Sequence, residues 1–154
     1  MKFTICLLSL CAMFVAANPL RADDFEVTVI AILASDRHKV IDEKLKPIAE
    51  EIKKKDPTLT GWKVSRQSKE TLKLNQKHSF ELVDKVTAEV TVLAQETKDK
   101  DKKVRINVKA PHAGEITYST VLDKFFPVLT RYQTEPNKDR LVYAVMVKIV
   151  PAKQ

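Results

Sequence analysis

Residues 25–34 are Phe-Glu-Val-Thr-Val-Ile-Ala-Ile-Leu-Ala and indicate the architecture more clearly than any other segment of the sequence. This segment begins with alternating apolar and polar residues and ends almost entirely apolar. This pattern is typical of a strand that enters a sheet at its edge and continues through its buried centre. Residues 141–150, Leu-Val-Tyr-Ala-Val-Met-Val-Lys-Ile-Val, are also largely apolar on both faces. We therefore expect the first and last strands to be neighbours in the centre of a sheet.

An amphipathic helix follows the first strand. Its apolar residues share one helical face at the spacing i, i+4, i+7, i+11: Ile41, Leu45, Ile48 and Ile52. Asp56 precedes a proline and therefore ends the helix, because such a residue avoids the α region. Pro47 conflicts with a helix that begins at Asp42, but it fits the first turn of a helix that begins near Lys46. We expect a start near Asp42 with local distortion.

After Gly61, the helical period gives way to short segments with apolar residues at every second position, which predict strands. Residues 86–92 and 104–108 form a predicted hairpin with a long polar tip. Pro127 restricts the strand over residues 126–133 to a sheet edge or a strand start. A single helix is available to cover a face, so this order predicts an α+β fold. That fold has an N-terminal strand, one amphipathic helix packed on one sheet face, and an antiparallel meander of about six or seven strands, which can curl into a partial sandwich.

Residues 1–22 are typical of a secretory signal peptide. Lys2 precedes an apolar run that is shorter than the roughly twenty residues needed to span a bilayer, and small residues allow cleavage after Ala17 or after Ala22. Residues 23–154 then form a single domain by the usual length of domains. We expect an exported protein, periplasmic or extracellular, with no transmembrane segment in the mature chain.

The counts of glycine and cysteine exclude several kinds of site. The chain has only two glycines, Gly61 and Gly114, whereas phosphate loops and dinucleotide fingerprints need two or more within a few residues. Both cysteines, Cys6 and Cys11, lie within the predicted signal peptide, so the mature chain is expected to be free of cysteine. The scarcity of glycine also predicts longer polar loops rather than tight hairpins.

The net charge of +7 comes mostly from lysine, with 21 Lys against 6 Arg. Arginine is the residue suited to bidentate phosphate recognition and stacking, whereas lysine is a hydrated point charge. We therefore expect no nucleic-acid partner. The anionic partners available to an exported protein are envelope polymers, lipid headgroups and acidic proteins.

The strongest concentration of positive charge lies at the tip and base of the predicted hairpin. It consists of Lys98, Lys100, Lys102, Lys103 and Arg105. The simpler interpretation is a solvated tip in which the intervening aspartates balance the lysines. The functional interpretation is contact with an anionic envelope polymer or with a protein partner.

Residues 110–115, Ala-Pro-His-Ala-Gly-Glu, are the other candidate site. Loops held by a rigid sheet often carry binding residues, so His112 and Glu115 are candidates here, and a simple turn is the alternative. The remaining histidines, His38 and His78, lie in other elements, and no His spacing suits a zinc site. No segment around the serines would build an oxyanion hole, so we predict no catalytic residue. We also expect no metal ligand and no cofactor.

Several segments together carry a resemblance to a known group of proteins. They are Ile32-Leu33-Ala34-Ser35, Ile41-Asp42-Glu43-Lys44-Leu45, residues 54–62, Leu72-Lys73-Leu74 and Gly114-Glu115-Ile116-Thr117-Tyr118. With the valine-rich last strand, they resemble small exported bacterial α+β proteins of unknown function that are frequent in planctomycete-type genomes. The resemblance implies no activity, substrate or site residue. Glu43 stands where the group often has a helix-opening proline, which leaves the helix start open.

Three classes of function remain. The preferred hypothesis is a non-catalytic exported interaction domain that presents a lysine-rich surface to an anionic envelope component or protein partner. The first alternative is a small exported hydrolase that uses His and carboxylate side chains from separate strands. The second alternative is a structural subunit that completes an envelope assembly through an unpaired sheet edge.

Overall fold

The structure, a computed structural model, describes residues 24–96, 102–110 and 112–151. Within these residues the chain forms eight strands, one α-helix and one short 3-10 turn. The strands are β1 (Asp24–Ser35), β2 (Gly61–Leu72), β3 (Lys77–Val83), β4 (Val86–Glu96), β5 (Lys103–Ala110), β6 (Gly114–Val121), β7 (Phe126–Gln133) and β8 (Arg140–Val150), the helix is α1 (Lys46–Lys55), and the 3-10 turn is Glu43–Leu45.

The strands form two antiparallel sheets of four. The first sheet has the order β2-β1-β8-β7, and the second has the order β3-β4-β5-β6. The second sheet is a simple meander, in which each strand pairs with the next along the chain. The first sheet brings the two ends of the described chain together, because β1 pairs with both β2 and β8.

The predicted α+β class is wrong, because the protein is mostly β and has two packed sheets. The alternate apolar residues of β4 and β5 are buried in one core that they share with the first sheet, instead of lying under a helix; they are Ala88, Val90, Val92, Val104, Ile106, Val108 and Ala110. The helix has only ten residues and covers part of one sheet face. The inter-sheet core includes Val27, Val29, Phe80, Val90, Val92, Ile106, Val108, Tyr143 and Val145.

The prediction that the first and last strands are central neighbours is confirmed. Their register places Val29 opposite Val145 and Ile30 opposite Ala144. The first pair belongs to the core between the sheets, and the second pair belongs to the core under α1. Both faces of β1 and β8 are therefore covered over much of their length, which explains why both strands are apolar at nearly every position.

The helical segment includes both predicted starts, the one near Asp42 and the one near Lys46. The Asp42 carboxylate accepts a hydrogen bond from the Lys44 backbone N–H at 3.1 Å and caps the 3-10 turn. The α-helix itself begins at Lys46, so Pro47 lies in its first turn, where a missing N–H costs no helical hydrogen bond. The apolar face of the helix packs through Ile48 and Ile52 on the side of the first sheet that points away from the second sheet.

The connection between β3 and β4 is tighter than the low glycine content predicts. Val83 pairs with Val86, so Asp84 and Lys85 alone form the turn. Both have positive φ, 48° and 64°, as a two-residue type I′ turn requires. The expectation of longer loops is wrong here, because non-glycine residues occupy the left-handed region at a modest cost.

Replacement of Lys85 by glycine is expected to stabilise the fold. Glycine adopts a positive φ without the clash of a Cβ atom, so Lys85→Gly should raise the free energy of unfolding by about 1 kcal/mol. Lys109→Gly, within β5, is the matched control and should lower it by about 0.5–1 kcal/mol. Urea denaturation of both variants measures the difference. Destabilisation by Lys85→Gly would contradict this account of the turn.

Gly61 allows residues 38–42 to lie against the start of β2. The Trp62 N–H donates to the Val40 carbonyl at 2.8 Å, and the Asp42 N–H donates to the Trp62 carbonyl at 3.1 Å. A Cβ atom at position 61 would lie only 2.6 Å from the His38 carbonyl oxygen and closer still to the His38 ring. The absence of a side chain at Gly61 therefore permits this contact.

Gly61→Ala is expected to destabilise the fold by about 1–3 kcal/mol, because the added methyl group overpacks a site closed by backbone. Gly114→Ala is the control, since a Cβ atom there meets nothing within 4 Å and the cost comes only from the φ of 75°. That cost is about 1–2 kcal/mol. Thermal unfolding compares the two variants. The account fails if Gly61→Ala leaves stability unchanged.

Candidate binding surface

The candidate site is the outer face of the second sheet, which points away from the first sheet. Because Val90, Ile106 and Val108 point into the core, the residues between them point outward. We define the outer face by its described residues on the three strands β4, β5 and β6. They are Thr87, Glu89, Thr91, Lys103, Arg105, Asn107, Lys109, Glu115, Thr117 and Ser119.

Several charges of the outer face have an oppositely charged neighbour on an adjacent strand. Lys109 lies between Glu89 and Glu115 in the register of β4, β5 and β6. The Arg105 guanidinium donates to the Glu96 carboxylate at 2.5 Å. Opposite charges on neighbouring strands stabilise such a face and leave little net field above it.

The hairpin end of the second sheet carries an excess of positive charge. Lys102 and Lys103 are exposed and form no ion pair with any residue that the structure describes. Arg105 lies two residues further along β5 and is half-exposed. The other two predicted lysines, Lys98 and Lys100, lie outside the described residues. The structure thus places three of the five predicted cations together at the base of the hairpin.

A shallow groove of about 320 Å³ lies at the opposite end of the same face. Its lining includes Thr87, Glu89, Lys109 and Glu115. The Asn107 side-chain amide donates to the Glu115 carboxylate at 3.0 Å and to the Thr117 hydroxyl at 2.9 Å. These contacts hold the polar side chains of β5 and β6 in fixed positions beside the groove. A ligand in the groove could therefore form hydrogen bonds or ion pairs with them.

The two loop candidates, His112 and Glu115, have different surroundings. Glu115 belongs to the groove, whereas the His112 ring lies 5.7 Å from the Tyr132 ring of β7. The His112 carbonyl also accepts a hydrogen bond from the Arg131 N–H at 3.4 Å. His112 therefore links the turn before β6 to the first sheet, and the structure does not join it to Glu115 in one site.

Tyr132 connects that turn with the β3–β4 turn. Its hydroxyl donates to an oxygen of the Asp84 carboxylate at 3.4 Å. Desolvation, followed by the charge of Asp84 and the hydrogen bond to it, raises the pKa of Tyr132 above its ordinary value of 10.0. Desolvation also raises the pKa of Tyr118 and of Tyr143 further, because both are more deeply buried. The Tyr132 phenol thus donates a proton in its bond to Asp84 at neutral pH.

The other histidines are also apart from acidic partners. His78 packs edge-on against Phe80 at 4.8 Å. His38 and Asp42 line a cavity of about 610 Å³, but the Asp42 carboxylate is used to cap the 3-10 turn, and no described hydrogen bond joins it to His38. Among the described residues, no group of three His, Cys, Asp or Glu side chains is arranged to hold a metal ion.

Sequence reasoning missed the part of the outer face that depends on register. Glu89, Asn107 and Lys109 were not singled out, although each alternates with buried valines and isoleucines. That alternation was visible in the sequence and indicates which residues face outward. The pairing of strands was not visible, and it brings these side chains together.

Comparisons with known proteins yield no relative. No protein-family model, no curated protein and no solved structure matches this chain. The resemblance to small exported bacterial proteins therefore stays a prediction. In the part of the chain that the structure describes, no helix has the length and apolar character needed to cross a membrane.

An alkaline titration tests the Tyr132–Asp84 contact. Tyr132 is expected to ionise before Tyr118 and Tyr143, because they are more deeply buried. Asp84→Asn removes a negative charge beside the phenol, so the pKa of Tyr132 should fall towards its ordinary value. Asp123→Asn, at a different turn, serves as the control. NMR resonances of the Tyr132 ring report the titration, and an equal effect of the two substitutions would contradict the contact.

Proposed function

We propose that this protein is an exported, non-catalytic binding domain whose outer face holds an anionic envelope polymer. The observation that carries the proposal is the group of Lys102, Lys103 and Arg105 at the base of the hairpin. Lys102 and Lys103 form no ion pair among the described residues, whereas Glu89 pairs with Lys77 and Arg105 pairs with Glu96. Lys109 also forms no ion pair there, but it lies between Glu89 and Glu115 in the strand register. Export itself rests on the signal-like sequence of residues 1–22.

The spacing of the cations suits a polymer better than a single small ion. Lys103 and Arg105 alternate on one strand, so their Cα atoms lie about 6.6 Å apart. Lys103 and Arg105 thus present two charges on one side of β5, with Lys102 next to them in the sequence, and this spacing suits a ligand that repeats its anionic groups. The three cavities described in the structure are lined by other residues than Lys102 and Lys103.

The remainder of the outer face supplies polar groups along the path of such a chain. From the hairpin end, a polymer that follows β5 passes Ser119, Thr117 and Asn107 before it reaches the groove beside Lys109. Hydroxyl and amide groups exchange hydrogen bonds with sugars and with phosphate or carboxylate oxygens. The cations then provide the attraction, and the neutral side chains provide the contacts.

Binding to an immobilised sulfated polysaccharide tests the proposal, with neutral dextran as the reference. Lys102→Gln combined with Lys103→Gln should weaken binding roughly tenfold, since exposed charge contacts contribute up to about 1 kcal/mol each. The affinity of the unmodified chain should fall as salt rises, because exposed charges are screened.

The matched control is Lys53→Gln combined with Lys54→Gln, which removes the same charge from exposed positions on α1. This variant should bind nearly as the unmodified chain does. Equal losses in both double variants would show that net charge alone attracts the polymer. That result, or binding that is insensitive to salt, would contradict the proposal.

A further inference from the structure

The two described sheets have four edge strands, and three of these strands carry features that discourage pairing with another chain. The edge strand β2 has a register shift and the cations Lys63, Arg66 and Lys69. The edge strand β7 contains Pro127 and a register shift, and β3 has a register shift near its end. Bulges, proline and charged residues are the usual means of protecting an exposed edge.

The edge strand β6 has no bulge, no proline and no cation, and its single charged residue is Glu115, near one end. Its sequence, Gly-Glu-Ile-Thr-Tyr-Ser-Thr-Val, contains no Lys, Arg or Pro. Its register with β5 runs without interruption from Lys103 opposite Val121 to Ala110 opposite Gly114. Ile116 is 38% exposed, and the strand is rich in residues that favour sheets. Among the described strands, none pairs with this edge.

The hydrogen bonds of β6 show which of its backbone groups are available. The Leu122 N–H donates to the Lys102 carbonyl at 3.1 Å, so even-numbered residues of the strand point their backbone groups towards β5. The backbone N–H and C=O groups of Glu115, Thr117 and Ser119 therefore point away from the sheet. An antiparallel strand placed beside β6 would pair with these groups.

We propose that β6 pairs antiparallel with β6 of a second copy of this chain, around a two-fold axis at Thr117. This register places Thr117 opposite itself, Glu115 opposite Ser119, and Ile116 opposite Tyr118. All the outward-pointing backbone groups then meet one another, which gives about six hydrogen bonds across the axis.

The side chains of β6 favour a second copy as the occupant. No like charges face each other in this register, although the chain as a whole is basic at +7. Ile116 and Tyr118 form a β-branched and aromatic pair on each side of the axis, which is a stabilising combination. The Tyr118 ring is already held by stacking on Phe126, with ring centroids 3.8 Å apart. A register shifted to Tyr118 would instead place Ile116 opposite Thr120 and lose this pair.

The dimer would join the two second sheets into one sheet of eight strands. The β5 strands of the two copies would run antiparallel about 14 Å apart, since three strand spacings separate them. The outer face would thereby carry two rows of cations in place of one. This last consequence rests on the proposed function, but the pairing itself does not.

Cysteine cross-linking tests the register in a chain whose Cys6 and Cys11 are replaced by serine. Thr117→Cys should form a disulfide-linked dimer under mild oxidation, because Cα atoms in a hydrogen-bonded pair lie about 5.5 Å apart, within disulfide range. Ser119→Cys should form at least tenfold less, since its partner is Glu115. Equal cross-linking at the two positions, or cross-linking at neither, would overturn the proposal.

Sedimentation equilibrium tests the association itself. A pairing of this size is small for a protein interface, so we expect a dissociation constant on the order of 10–100 μM. Thr117→Pro removes an outward N–H and should raise that constant at least tenfold, while Thr117→Val retains the dimer. Ile116→Lys should also raise it at least tenfold, whereas Val40→Lys, at a 72% exposed position elsewhere, should not.

Circular dichroism checks that each variant is folded, and Ile116→Lys decides the question if Thr117→Pro unfolds. A monomer at every concentration up to about 1 mM would overturn the proposal, because that concentration is at least tenfold above the expected dissociation constant of about 10–100 μM. A dimer that survives Ile116→Lys would overturn it as well. Neither result would affect the polymer test, since loss of polymer binding in the lysine variants is measured against the α1 control.

Discussion

The pairing of β1 with β8 joins the two hydrophobic cores of this protein. One face of this pair lies against the second sheet through residues such as Val29 and Val145, and the other lies under α1 through residues such as Ile30 and Ala144. Burial of each valine or isoleucine side chain among them contributes about 1.5–3 kcal/mol relative to exposure. Since both cysteines lie within residues 1–22, the described part of the chain has no disulfide, and packing around this pair holds the two sheets and the helix together.

Sequence patterns predicted the elements that depend on local periodicity. The apolar residues of β1 and β8, the apolar face of α1, and the alternation in β4 and β5 each indicate a structure directly. They do not indicate what covers an apolar face. The same alternation suits a strand under a helix and a strand under another sheet, so the fold class was wrong while the central pair was right.

Two local details also lay beyond the patterns. The Asp84–Lys85 turn adopts a conformation that usually selects glycine, because the register of β3 and β4 holds it there. The helix start divides into a 3-10 turn and an α-helix, because the Asp42 cap and Pro47 each set their own boundary. In both places the backbone geometry depends on neighbouring residues, and the conformational preference of a single residue does not predict it.

On the candidate surface, some features depend on residues that are close in sequence, and others depend on the pairing of strands. Lys102, Lys103 and Arg105 are close in sequence, and their cluster was predictable from charge alone. The contact of Asn107 with Glu115 and Thr117 depends on strand pairing, so it could be seen only in the structure. His112 and Glu115 are three residues apart, yet a tight turn directs one towards Tyr132 and the other towards the groove.

Native-state hydrogen exchange tests the central claim most directly, because it compares the stability of individual strands within the intact fold. The backbone amides of residues 27–32 in β1 and 142–147 in β8 should exchange only through global unfolding, with protection equal to the full free energy of unfolding. Those of β6 and α1 should exchange earlier. If β1 and β8 exchanged by local opening while β4 and β5 stayed protected, the β1–β8 pair would not be the structural centre of this protein.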